Sequence, residues 1–165
     1  MNDTDVEDAA LALVDALGPD FIQLAPPDEH HLDSVSIAEC VAFAMLGAVG
    51  SGITAGVKDW TKDKTVSVLD AVAAHIGHRL SGALRKPFST VQTPEMRDAD
   101  EKETALNVSS AREATAGLDP ATADAVIAVG SAAARAALED MGVDSRVSQR
   151  VQDELGDQLV IIIRR

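Results

Sequence analysis

VAFAMLGAVGSGITAGV, residues Val41–Val57, is a run of 17 residues without a charge. Glu39 precedes it, and Lys58, Asp59, Lys62, Asp63 and Lys64 follow, so both of its ends must meet water. A helix crossing a bilayer needs about 20 predominantly apolar residues. This run falls short, and Gly47, Gly50, Gly52 and Gly56, with Ser51 and Thr54, dilute it further. Each glycine inside a helix costs about 0.8–1 kcal/mol relative to alanine, so such a concentration requires a reason. Gly52 and Gly56 stand one turn apart, and Ala48 extends the smooth strip one turn back. A strip of that kind lets a second helix approach closely, in a membrane or in a soluble core. The competing reading is that Gly50-Ser51-Gly52 breaks the run into two helices joined by a tight turn.

Working outward, the rest of the chain reads as helices that would cover this segment. Val6, Ala9, Ala10, Leu13 and Leu17 follow the three-and-four spacing of an amphipathic helix over about 5–17, ended by Gly18-Pro19. Phe21, Ile22 and Leu24 form a short apolar piece before Pro26-Pro27. On the other side, Val66, Leu69, Val72, Ala73, Ile76, Leu80 and Leu84 make the longest stripe in the chain, capped by Thr61 or Asp63 and closed by Pro87. Residues 86–97 are polar, carry Pro87 and Pro94, and read as a loop or linker. The following stretch to Gly117 has helix-forming composition but a thin stripe, Ala105, Leu106 and Ser109.

Asp119-Pro120 is a helix start, a capping carboxylate followed by a proline whose missing amide costs nothing there. The helix it opens reaches about Met141, with Ala123, Val126, Ile127, Gly130, Ala134, Ala137, Leu138 and Met141 on one side, and Gly142 ends it. Gly130 and Ala134 give a second small-residue face, a mate for the first. A last helix carries Val147, Val151 and Leu155, and the chain finishes in DQLVIIIRR. The β-branched run there favours an extended conformation, so residues 159–163 are expected to pair with 21–24 as a minor two-stranded element. Left unpaired, Ile161, Ile162 and Ile163 would be a sticky edge that invites a partner.

The expected fold is therefore mainly α, a single-domain helical bundle packed around the glycine-rich apolar helix. Composition agrees: the aromatic set is only Phe21, Phe43, Phe88 and Trp60, so the core must be aliphatic and small. A net charge of −13 repels phosphate backbones, and no basic patch offsets it, which argues against nucleic-acid binding. The one cysteine, Cys40, allows no intramolecular disulfide. The acidic N-terminus is unlike a signal peptide, so a cytoplasmic protein is expected.

Little in the sequence points to catalysis. His75 and His78, three apart, share a face and are the only candidate metal ligands within one helix. They lack an HExxH context, although Asp28, Glu29, His30, His31 and Asp33 lie elsewhere as possible donors. The GAVGSG cluster has no following Lys-Ser/Thr and does not make a phosphate loop. Cys40 has apolar neighbours and nothing to activate its thiol. The expectation is a non-enzymatic interaction or assembly protein without a cofactor, self-associating or holding a protein partner through Ala48, Gly52, Gly56, Gly130, Ala134 and the tail isoleucines. The alternative is a membrane-associated protein that inserts residues 41–57.

Overall fold

The computed structural model describes residues 3–18, 34–89 and 93–164, and everything below concerns these. They form six α-helices: α1 (Asp3–Leu17), α2 (Ser34–Lys62), α3 (Val68–Ser89), α4 (Pro94–Ala116), α5 (Pro120–Asp140) and α6 (Ser145–Leu159). A five-residue π-helical turn, Val160–Arg164, follows α6 directly. The chain is mainly helical, and no strand occurs among the described residues.

Helix α2 runs unbroken through Gly50-Ser51-Gly52. It is apolar on nearly every side, which a helix tolerates only when neighbours surround it. Between Val41 and Val57 every residue is buried except Ala44, Ser51, Thr54 and Ala55, which are half-buried. Its glycines divide between two faces. At 100° per residue, Gly47 and Gly50 point roughly 170° away from Gly52 and Gly56. The first pair receives α4: a β-carbon on Gly50 would lie 3.0 Å from the backbone of Asn107. The second pair receives α3: β-carbons on Gly52 and Gly56 would fall 2.8 and 2.5 Å from the Cα atoms of Ile76 and Val72. Real side chains do not approach a backbone that closely, so the absence of a side chain is what lets α3 dock at this distance.

The small-residue strip thus meets Val72 and Ile76, and Gly130 on α5 instead accepts the Cγ1 of Val49, 2.8 Å from where its β-carbon would stand. Helix α5 also packs on α3, α6 packs on α5 and α1, and α1 leans on α2. Helix α6 buries Val147, Val151, Leu155 and Leu159, and Arg150 donates from Nε to the Ala16 carbonyl, 3.1 Å, closing the end of α1.

Several boundaries differ from the sequence reading. Residues 86–89 and 94–97, expected in a linker, are helical. Pro87 lies within the last turn of α3, where only the carbonyl of Ala83 loses its helical donor. Thr93 accepts from the Met96 amide, 3.2 Å, with Pro94 as the first helical residue. Helix α2 extends through Thr61 to Lys62, and Ser67, accepting from the Asp70 amide at 3.1 Å, starts α3 in place of Thr61 or Asp63. Trp60 accordingly sits in the final turn of α2, with the Lys64 ammonium 5.0 Å from its ring centroid.

The strand expected at 159–163 is not formed. Leu159 ends α6, residues 160–164 continue helically, and the proposed mate at 21–24 lies outside the described residues. The β-branched preference loses to burial: a helical turn satisfies its own backbone without a partner strand. Ile162 and Ile163 are packed away while Ile161 stays 46% exposed.

Candidate functional site

Helices α3 and α4 lie on opposite faces of α2 and scarcely touch each other. They therefore leave two gaps along α2. One is filled by the core, where Val49 meets Gly130 of α5. The other stays open over Cys40, Ala44, Gly47, Ala48 and Ser51, residues too small to fill it, and forms a groove of about 290 Å³. Arg79, Ala83, Lys86 and Pro87 of α3 make one wall; Asp100, Glu103, Thr104 and Asn107 of α4 make the other. The walls carry opposite charge, cationic on α3 and anionic on α4.

The polar group there with the most hydrogen bonds is Arg79. Its Nε donates to Ser51 Oγ at 2.9 Å, and its Nη1 lies 3.0 Å from His75 Nδ1 and 3.4 Å from the His75 carbonyl. Arginine has only donors, so Nδ1 must be the accepting nitrogen and Nε2 carries the hydrogen. That hydrogen goes to Asp59 Oδ2, 2.5 Å away. Asp59, His75, Arg79 and Ser51 thus form a relay between the last turns of α2 and the middle of α3. Its effect is to hold the guanidinium in one orientation, an arrangement that arginine's planar fork suits.

At the opposite end of the groove, Thr104 Oγ1 donates to the Phe43 carbonyl, 3.1 Å, in a buried contact that ties α4 to α2. Cys40 is buried, and its thiol is pushed up to about 11, first by desolvation and then by the Asp100 carboxylate. Such a thiol stays protonated at neutral pH and is a poor nucleophile. On the far side of Glu39, that carboxylate accepts from Arg97 Nη1 at 3.1 Å.

The residues singled out in sequence are distributed differently. His75 belongs to the Arg79 relay, while His78 is exposed and does not join it. No three His, Cys, Asp or Glu residues converge on a common point among the described residues; His30 and His31 lie outside them. Ala48, Gly52, Gly56, Gly130 and Ala134 are buried, and all but Ala48, which also lines the groove, serve only internal packing. Of the tail isoleucines only Ile161 reaches the surface substantially.

Arg79, Ser51, Asp100 and Asn107 were not among the expected site residues. The one signal that points to any of them is the four-residue spacing of His75 and Arg79, which puts both on one helix face. Compared with family models, curated proteins and solved structures, the chain matches none at a significant level.

Proposed function

We propose that the protein is a non-enzymatic assembly module that pairs with a second copy of itself through the outer faces of α3 and α5. The observation that carries this reading is the exposure of α5. Both α2 and α5 are long and apolar enough to span a membrane by length and composition, yet 78% of the apolar stretch of α2 is buried and only 39% of that of α5. The remainder of α5 turns Ala121, Ala128, Ala132 and Ala136 to solvent. Beside it, α3 exposes Ala74, Gly77 and Ser81, and the two helices border a shallow depression lined by Gly77, Ser81, Ala133 and Ala136.

Charge and spacing on α3 favour a two-fold arrangement. Asp70, Ala74, Gly77, Ser81 and Arg85 are all exposed along one stripe. Asp70 and Arg85 lie equally far from the midpoint between Gly77 and His78, as do Ala74 and Ser81. Two such stripes laid antiparallel set each Asp70 against the partner's Arg85, with the smallest side chains where the helices cross. An isologous contact requires this kind of self-complementarity, and opposite charges at its ends define the register.

The internal burial of 41–57 speaks against its insertion into a bilayer. A net charge of −13 also disfavours docking on anionic lipid. Sedimentation velocity across a concentration series tests the proposal. Asp70→Arg and Arg85→Asp are each expected to weaken dimerisation by about tenfold or more, and the double exchange to restore it. A wild-type protein that remains monomeric at high concentration, or a double exchange that restores nothing, refutes this reading.

A further inference from the structure

The groove between α3 and α4 has no part in that assembly, and its chemistry points elsewhere. We infer that it binds a slender zwitterion, a carboxylate and an ammonium joined by an apolar chain, lying lengthwise along α2.

The carboxylate end is specified by Arg79. Its Nε is spent on Ser51 and its Nη1 on His75, leaving Nη2 without a partner among the described residues. A guanidinium held by two neighbours and still offering donors loses little freedom on accepting an anion, and a charge-assisted bond is among the stronger polar contacts available. The amide of Asn107 lines the same end.

The ammonium end is specified by α4. Asp100, half-buried, lies close enough to Cys40 to act on its thiol, and Glu103 stands one turn further along the rim. Lys86 lines the facing wall as well but is exposed, so the two carboxylates outnumber that one cation. Between the ends, the floor of Ala44, Gly47 and Ala48 offers only hydrocarbon and backbone. The stretch from Cys40 to Ser51 measures about 16 Å along the helix axis at 1.5 Å per residue. Long side chains entering from each end shorten that distance, so the bound chain is a short one. A volume of about 290 Å³ is at the small end of ligand pockets, in keeping with a short chain.

The test is titration of the full chain with terminal-amine carboxylates of increasing length, aminohexanoate, aminooctanoate and aminoundecanoate, followed by calorimetry and amide chemical shifts. Octanoate and octylamine serve as controls carrying one charge each. The expected result is saturable binding of one of the three zwitterions, with shifts confined to the groove residues and about tenfold weaker binding of either control. Arg79→Gln is expected to weaken the zwitterion to the level of octylamine, and Asp100→Asn to the level of octanoate, with a cooperative thermal transition well above the titration temperature showing that each variant is folded. Octanoate or octylamine binding as tightly as the best zwitterion, shifts outside the groove, or no saturation by any zwitterion at millimolar concentration would each overturn the inference. None of these outcomes depends on whether the chain dimerises.

Discussion

Helices α2 and α3 both carry glycines in their interiors, and the two sets are used in opposite ways. On α2, Gly52 and Gly56 stand where any β-carbon would collide with a neighbouring backbone, and Gly50 where it would be tightly pressed against one. On α3, Gly77 and Gly82 face open space, with nothing within 4 Å of where a β-carbon would be. The local cost in helix propensity is the same for both sets. In α2 it is offset by the contact it permits; in α3 the folded chain itself supplies no such return. A glycine's meaning therefore lies in what stands opposite it, and the open pair on α3 is the part of the molecule that a partner would have to explain.

The sharpest way to break the comparison is to fill an inner glycine. Gly56→Leu would force α3 off its seat over Val72 and is expected to destabilise the fold by about 3 kcal/mol or more, the upper end of overpacking penalties. Urea denaturation would read this as a large fall in midpoint, and a variant as stable as the parent would refute the close approach. A middle-sized effect is expected at the α2–α4 seam. Thr104→Val keeps the shape but removes the buried donor to Phe43, for a loss of about 1 kcal/mol.

Filling an outer glycine should do the reverse. Gly82→Ala is expected to raise stability by about 0.5–1 kcal/mol, because no atom resists the added methyl and the unfolded chain loses freedom. Gly77→Ala should stabilise the isolated chain in the same way. If the α3 stripe is the crossing point of two copies, the same substitution also weakens association, and comparing melting curves at low and high protein concentration separates the two contributions.

The smallest effect concerns a helix end. Hydrogen bonds from the Thr122 hydroxyl and amide hold the Asp119 carboxyl below the usual carboxylate range. A carboxyl depressed in the folded state adds stability above its unfolded pKa and loses it as pH falls through the folded value. Asp119→Ala should therefore lower the melting temperature at neutral pH, with the difference from the parent shrinking as the solution is acidified below the ordinary carboxylate range. A constant difference across that interval would show that the cap does not act through its charge.

Helix α5 was readable almost to the residue. Asp119-Pro120 opens it, and Gly142, at φ +90°, closes it with the Gly142 amide on Glu139 and the Val143 amide on Leu138, each 3.0 Å. Thr93-Pro94 is the same kind of opening signal, yet the start of α4 reads as a loop. The reason is its buried face: Thr104, Val108, Ala111 and Thr115. A helix seated on glycines must itself present small or polar-tipped side chains, so its stripe does not look hydrophobic. Leu106, by contrast, attracts attention in the sequence and is 70% exposed. The groove was invisible for a related reason, since Arg79, Asp100 and Ser51 come from three helices and share no spacing.

What the sequence by itself determined is the helical character of the chain, with the Asp119 cap and the Gly142 stop of α5. Those follow from local rules, the period of apolar residues and the satisfaction of helix ends. Only the tertiary structure decided which helix each glycine receives, that Ile162 and Ile163 turn inward while Ile161 does not, and that one gap along α2 remains open between walls of opposite charge. Periodicity specifies the direction in which a side chain leaves its helix; what it meets depends on the packing of all the helices together.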